Sequence, residues 1–99
     1  MDMSQIIAGY FKTQPVEKAW LFGSCSRGEA TRQSDVDILV RFVPESRMTL
    51  FMYARILNDL QKLLKRKVDL VEDGQIADFA ADSVEQDKVL IYERAVERQ

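Results

Sequence analysis

The chain has 99 residues, 46% of them hydrophobic, which is enough for one domain with one core and too little for two. Its 14 basic and 16 acidic residues give a formal charge of -2, which excludes a general attraction to nucleic acid or to an anionic membrane surface. No histidine and a single cysteine exclude Ser-His-Asp and Cys-His catalysis, an internal disulfide and a Cys-rich zinc site, leaving carboxylate oxygen as the ligand chemistry for hard ions such as magnesium.

The start, Met1-Asp2-Met3-Ser4-Gln5, lacks a charged segment followed by an apolar one, so no signal peptide is expected. No apolar run reaches the roughly 20 residues that span a bilayer, and a reducing cytoplasm is the expected home. From Ser4 to Phe11, Ile6, Ile7, Tyr10 and Phe11 recur at intervals of three and four, predicting a short amphipathic helix over one edge of a sheet. Pro15 stops it, and Val16 to Phe22 reads as a strand ending at Gly23. Gly23 and Gly28 then bracket a loop and a short helix.

Val36 to Val43 reads as a second strand, with Val36, Ile38 and Val40 on one face and Asp35, Asp37 and Leu39 on the other; Pro44 ends it. Thr49 to Lys65 is the clearest helix, with a stripe of Tyr53, Ile56, Leu57, Leu60, Leu63 and Leu64 opposite Arg55, Asn58, Asp59, Lys62 and Lys65. Lys67 to Val71 is a short strand, joined to the previous one by a crossover helix and therefore expected to run parallel to it. Residues 75–86 read as helical, Val89 to Tyr92 as a strand, and Glu93 to Gln99 as a frayed tail.

Asp35 and Asp37 are two residues apart in a strand pattern, so both carboxylates point the same way. Like charges this close repel, and the arrangement points to a bound cation. Asp69, on the neighbouring predicted strand, would bring a third carboxylate to the same spot. In two-metal phosphoryl transfer, ions roughly 3.5 to 4 Å apart stabilise the attacking and leaving oxygens. Gly23 and Ser24 supply what phosphates need, namely a turn without a β-carbon, backbone N–H groups and a hydroxyl, and Arg27 adds a charge-assisted contact. The spacing Gly23-x-x-x-x-Gly28 is not a P-loop, because Glu29 and Ala30 stand where Lys and Ser or Thr are required. Cys25 has no histidine to activate it and reads as a small loop residue, and Lys62, Lys65, Arg66 and Lys67 as the solvated end of a helix.

Gly23-Ser24-Cys25-Ser26-Arg27-Gly28, then Ser34-Asp35-Val36-Asp37-Ile38-Leu39-Val40, then Val68-Asp69-Leu70-Val71 resemble the motifs of the DNA polymerase β-like nucleotidyltransferase superfamily. Within it, the chain resembles the minimal nucleotidyltransferase group, the antitoxin half of HEPN and minimal-nucleotidyltransferase toxin-antitoxin pairs. The resemblance covers about Trp20 to Tyr92. It implies an α/β (α+β) fold with a small mixed β-sheet flanked by helices, forming a single domain over residues 1–99. It further implies magnesium, as two ions, on Asp35, Asp37 and Asp69, and ATP phosphates at Gly23 and Ser24 with Arg27 and Ser34 beside them. The implied reaction is AMP transfer from ATP to a hydroxyl, a tyrosine of a HEPN toxin, by the antitoxin of a type VII pair. One departure is Ser26 where alanine is frequent, and being small it leaves the loop open.

Larger superfamily members grip the acceptor with a second domain, for which 99 residues leave no room, so the acceptor or a partner carrying it is expected to complete the site. Two other functions fit the same residues: an antitoxin that neutralises its partner by binding alone, and a small-molecule nucleotidyltransferase of the aminoglycoside-modifying kind. Assembly is open between a homodimer and a hetero-oligomer, with no direct nucleic-acid or membrane partner expected.

Overall fold

The computed structural model describes residues 2–23, 35–73 and 88–94. Helix α1 spans Met3–Phe11, one residue earlier than its apolar spacing predicts. Asp2 sets that start: its side chain accepts from the Gln5 backbone N–H at 2.9 Å, while the Gln5 side chain accepts from the Asp2 backbone N–H at 3.0 Å. Strand β1 runs Val16–Phe22 and strand β2 Val36–Phe42, followed by a short 3-10 turn at Pro44–Ser46. Helix α2 spans Leu50–Leu64, with the Thr49 hydroxyl accepting from the Met52 N–H at its start and Lys65 in the left-handed conformation, φ 54°, at its end. Strands β3, Val68–Glu72, and β4, Val89–Glu93, complete one sheet.

The strand order is β3-β2-β1-β4. β1 pairs antiparallel with β2 and β4, and β2 pairs parallel with β3 across α2, so the sheet is mixed as expected. Both helices lie on one face. Ile7, Phe11, Ile56 and Leu60, all fully buried, pack there on Val16, Ala19, Leu21, Val36, Ile38, Val40, Phe42, Val68 and Leu70. Removing that much apolar surface from water, at about 25 cal/mol per Å², is the main force holding the layers together. The Tyr10 hydroxyl donates to Asp59 Oδ2 at 2.6 Å and ties α1 to α2, while the Tyr53 hydroxyl donates to the Leu70 carbonyl and ties α2 to β3.

Three expectations need correction or fall elsewhere. Leu63 is 47% exposed and not part of the core: it lies at the edge of the buried stripe, about 20° beyond Ile56, in the last turn of α2. Glu93 and Arg94 are not tail: Glu93 closes β4, and Arg94 donates from its guanidinium to the carbonyls of Val16 and Gln14 and from its backbone N–H to Glu17. The short helix after Gly23, the helix at 75–86, and residues Ser24, Cys25, Arg27, Gly28 and Ser34 lie outside the described residues.

Candidate active site

The sheet face turned away from the described helices carries the candidate residues Asp37 and Asp69. Alternation in β2 sends Val36, Ile38 and Val40 to the helical side and Asp37 and Leu39 to the other. In β3 the same alternation buries Val68 and Leu70 and leaves Asp69 on the open face. Because the two strands are parallel and in the register Asp37↔Asp69, the two aspartates stand side by side, one strand spacing of about 4.8 Å apart at the backbone. Asp35 precedes β2 and is exposed.

The electrostatics follow from that placement. Partial burial pushes the Asp37 carboxyl above its ordinary pKa, and the negative charges of Asp69 and then Asp35 push it the same way. Asp69 and Asp35 therefore both act on Asp37. Asp37 and Asp69 are paired by register and the charge of Asp35 acts on Asp37, although among the described residues no three Asp, Glu, Cys or His side chains gather into a ready cation cage. The donor chemistry fits a hard divalent cation, since carboxylate oxygens are its preferred ligands and its charge would relieve the repulsion at Asp37.

Gly23 follows β1 directly, where Phe22 pairs with Asp37. Its φ of 72° is in the left-handed region, and a Cβ there would overlap Asp37 Oδ2 and lie 3.4 Å from Asp37 Cγ. Glycine is required twice over, by the backbone and by the close approach of the aspartate.

Beyond these residues the open face is ordered in rows. The middle row holds Trp20 and Leu39, with Phe22 and Val71 packed against them. The far row is closed by two ion pairs, Lys18 Nζ to Glu93 Oε2 at 3.1 Å and Arg41 Nη2 to Asp73 Oδ2 at 2.7 Å. The Trp20 ring has the Arg41 guanidinium carbon 5.6 Å and the Lys88 ammonium 4.8 Å from its centroid. Lys88 and Trp20 were not singled out by the sequence; extending the alternation of β4 back one residue is the signal that places Lys88 on this face with Leu90.

Ionisation of Asp37 works against the fold. Since its pKa is raised on folding, its contribution to stability is complete below about pH 4, the unfolded value, and is lost as pH rises through the folded value. Asp37→Asn should therefore raise the melting temperature of the metal-free protein at pH 7 by a few degrees and leave it unchanged at pH 3, as followed by circular dichroism. A variant less stable than the parent at pH 7 would contradict this.

Paired carboxylates on adjacent strands thus stand beside a glycine turn, on the face of a mixed sheet that the described helices leave open. The chain belongs to the nucleotidyltransferase domain family, whose model matches residues 4–91. It is 35% identical over 77 residues to a Methanocaldococcus jannaschii protein provisionally named protein adenylyltransferase MJ1379, covering 77% of each chain. Over 76 residues it is 37% identical to protein adenylyltransferase MntA of Thermococcus cleftensis, covering 77% of this chain and 75% of that one. Among solved structures, a chain of a toxin-antitoxin with AMP-PNP superimposes with a TM-score of 0.75 at 22% identity, over 92% of this chain and 73% of that one. A chain from the complex of tri-AMPylated Shewanella oneidensis HEPN toxin with MNT antitoxin superimposes with a TM-score of 0.64 at 17% identity, over 94% and 74%. No helix among the described residues is long and apolar enough to cross a membrane.

Proposed function

We propose that the protein transfers AMP from ATP to a hydroxyl of a partner protein, and that the partner is a HEPN toxin which the transfer silences. The observation that carries this reading is the register Asp37↔Asp69 beside Gly23, in a chain that shares more than a third of its aligned residues with protein adenylyltransferases. Asp35, Asp37 and Asp69 would hold magnesium, as a pair of ions. When bound, such ions would supply charge neutralisation for the phosphates and Lewis-acid activation of the acceptor hydroxyl. Gly23 and Ser24 hold the phosphates, with Arg27 and Ser34 at their flank. Asp69, exposed on the outer side of the pair, orients the acceptor and takes its proton. The oxygen–phosphorus bond to AMP forms on the acceptor as the bond to pyrophosphate breaks, and the acceptor proton passes to Asp69. A tyrosine acceptor and the type VII assignment belong to the same proposal.

The test is the intact mass of the protein that co-purifies with this chain, before and after incubation with Mg-ATP. A gain of one or more AMP units on that partner is the expected result. An unmodified partner that is nevertheless neutralised, with or without ATP, would replace this reading by inhibition through binding alone. Turnover of a small acceptor by the isolated chain would replace it by a small-molecule transferase.

A further inference from the structure

A cleft of about 430 Å³ opens between β3 and the first turn of α2. Met48, Leu50, Tyr53, Leu70 and Val71 give it an apolar lining, and Glu72 is the one charged residue among the described residues that line it. Val71 carries the cleft toward the aspartates: it follows Asp69 by two residues, shares its sheet face and stands about 7 Å from it along the strand. Burial, and then the charges of Asp69 and Glu72, raise the pKa of the Tyr53 phenol, so both carboxylates are felt inside the cleft. On its rim Leu50 is 84% exposed and Phe51 85% exposed, and Phe51 borders a second cleft of about 410 Å³ with Ala54 and Arg55. The two clefts and the two side chains between them form one apolar surface, the kind that marks an interaction site.

The strand edge beside the cleft restricts how a partner can enter. Bonds from the Val36 N–H to the Lys67 carbonyl and from the Asp73 N–H to the Val40 carbonyl turn alternate residues of β3 toward β2, so Val68, Leu70 and Glu72 direct their backbone groups outward. Two of those groups are taken by α2: the Val68 N–H donates to Gln61 Oε1 at 3.1 Å, and the Leu70 carbonyl accepts from the Tyr53 hydroxyl. The edge is thereby blunted against an added strand, and entry is by a side chain. A polycationic, polyhydroxylated small acceptor would find one carboxylate and little else to bond in such a lining, whereas an aliphatic or aromatic side chain finds its match. We propose that this cleft is the docking site for the acceptor protein, seating a large apolar side chain next to a basic residue that meets Glu72, and so bringing the acceptor hydroxyl to Asp69. This rests on the transfer reaction proposed above and adds the chemistry by which its acceptor is recognised.

The test combines Leu50→Gln with Phe51→Gln, two neutral changes at exposed positions that should leave the melting curve as in the parent. With the co-purifying acceptor as substrate, this double variant should raise the acceptor concentration for half-maximal AMP transfer about tenfold or more and leave the rate at saturation unchanged. Leu50→Met combined with Phe51→Leu, which keeps the apolar surface, should stay within about threefold of the parent. Glu72→Gln should raise the half-saturating concentration about threefold in low salt, a difference that should fade at about 0.5 M salt. A Glu72→Gln variant equal to the parent in low salt would overturn the basic residue's part in docking. Parent-like half-saturation in the glutamine double variant would overturn the whole assignment and leave the transfer reaction standing, and so would a loss confined to the saturated rate. A dimer of the isolated chain that the double variant splits, with half-saturation unchanged, would give the surface to a second copy instead. A parent chain that transfers no AMP to the acceptor would remove the reaction itself, and this assignment with it.

Discussion

Asp37→Ala should reduce AMP transfer to the partner by about 10³-fold or more, measured as label from α-labelled ATP. That loss corresponds to about 4 kcal/mol of transition-state stabilisation, the scale expected when a carboxylate that holds the reacting phosphate's counter-ions is removed. The same substitution should leave the fold intact, because Asp37 is on the sheet face away from the described helices and its ionised form is disfavoured by partial burial and by the charges of Asp69 and Asp35. Activity and stability are therefore expected to move in opposite directions, as they do where a site is assembled from groups that repel one another. Removing magnesium with a chelator should abolish transfer by the parent. Label transfer persisting at a tenth of the parent rate in the Asp35→Ala, Asp37→Ala double variant would end the catalytic reading.

Gly23→Val should impair both properties. A side chain at φ 72° costs roughly 1–2 kcal/mol in backbone strain, and more for a β-branched residue. Its Cβ would also occupy the space of Asp37 Oδ2, so the carboxylate must turn away from its neighbours. Displacement of a catalytic group by about 1 Å is commonly worth 10²-fold in rate, and a loss of that size is expected on top of the destabilisation. Gly23→Ala, with the same Cβ and less bulk, should lose nearly as much activity and less stability. Parent-like transfer by Gly23→Ala would show that Asp37 is not held in its working position by this contact. A melting curve recorded beside the transfer assay separates the two effects.

The parts of this fold that were legible in the sequence are those governed by local periodicity. The alternation of Val36, Ile38 and Val40 against Asp37 and Leu39 needs no partner strand to be read, and it put Asp37 on the face away from the described helices, while Asp35 precedes the strand. The stripe of Ile56 and Leu60 likewise located α2, and Thr49 and Lys65 bound it within one residue of the expected ends. The parallel pairing of β2 and β3 followed from the helix between them. What escaped depends on contacts distant in sequence. Arg94 finds the carbonyls of Gln14 and Val16 only after the chain has folded back on itself, so nothing in the run after Tyr92 announces its anchoring. The placement of Lys88 over the Trp20 ring depends in the same way on the offset between β1 and β4. The start of α1 was missed for a different reason, since the reciprocal bonds of Asp2 and Gln5 lie outside the apolar stripe that was counted.

Strand β1, one of the two interior strands, is offset twice: against β2 between Val16 and Lys18, and against β4 between Ala19 and Trp20. The first absorbs one residue of β1, which is why Val16 and Ala19, an odd number of positions apart, both reach the helical side; the second absorbs one residue of β4, between Leu90 and Tyr92. Since side chains repeat every two residues, a single-residue insertion or deletion between Lys18 and Phe22 would exchange the two faces of the strand from that point on. Trp20 would turn toward Ile7 and Phe11, Leu21 would turn outward, and the glycine would no longer arrive beside Asp37. This short stretch therefore tolerates changes of side chain far better than changes of length, and its residue count is as much a part of the site as the aspartates.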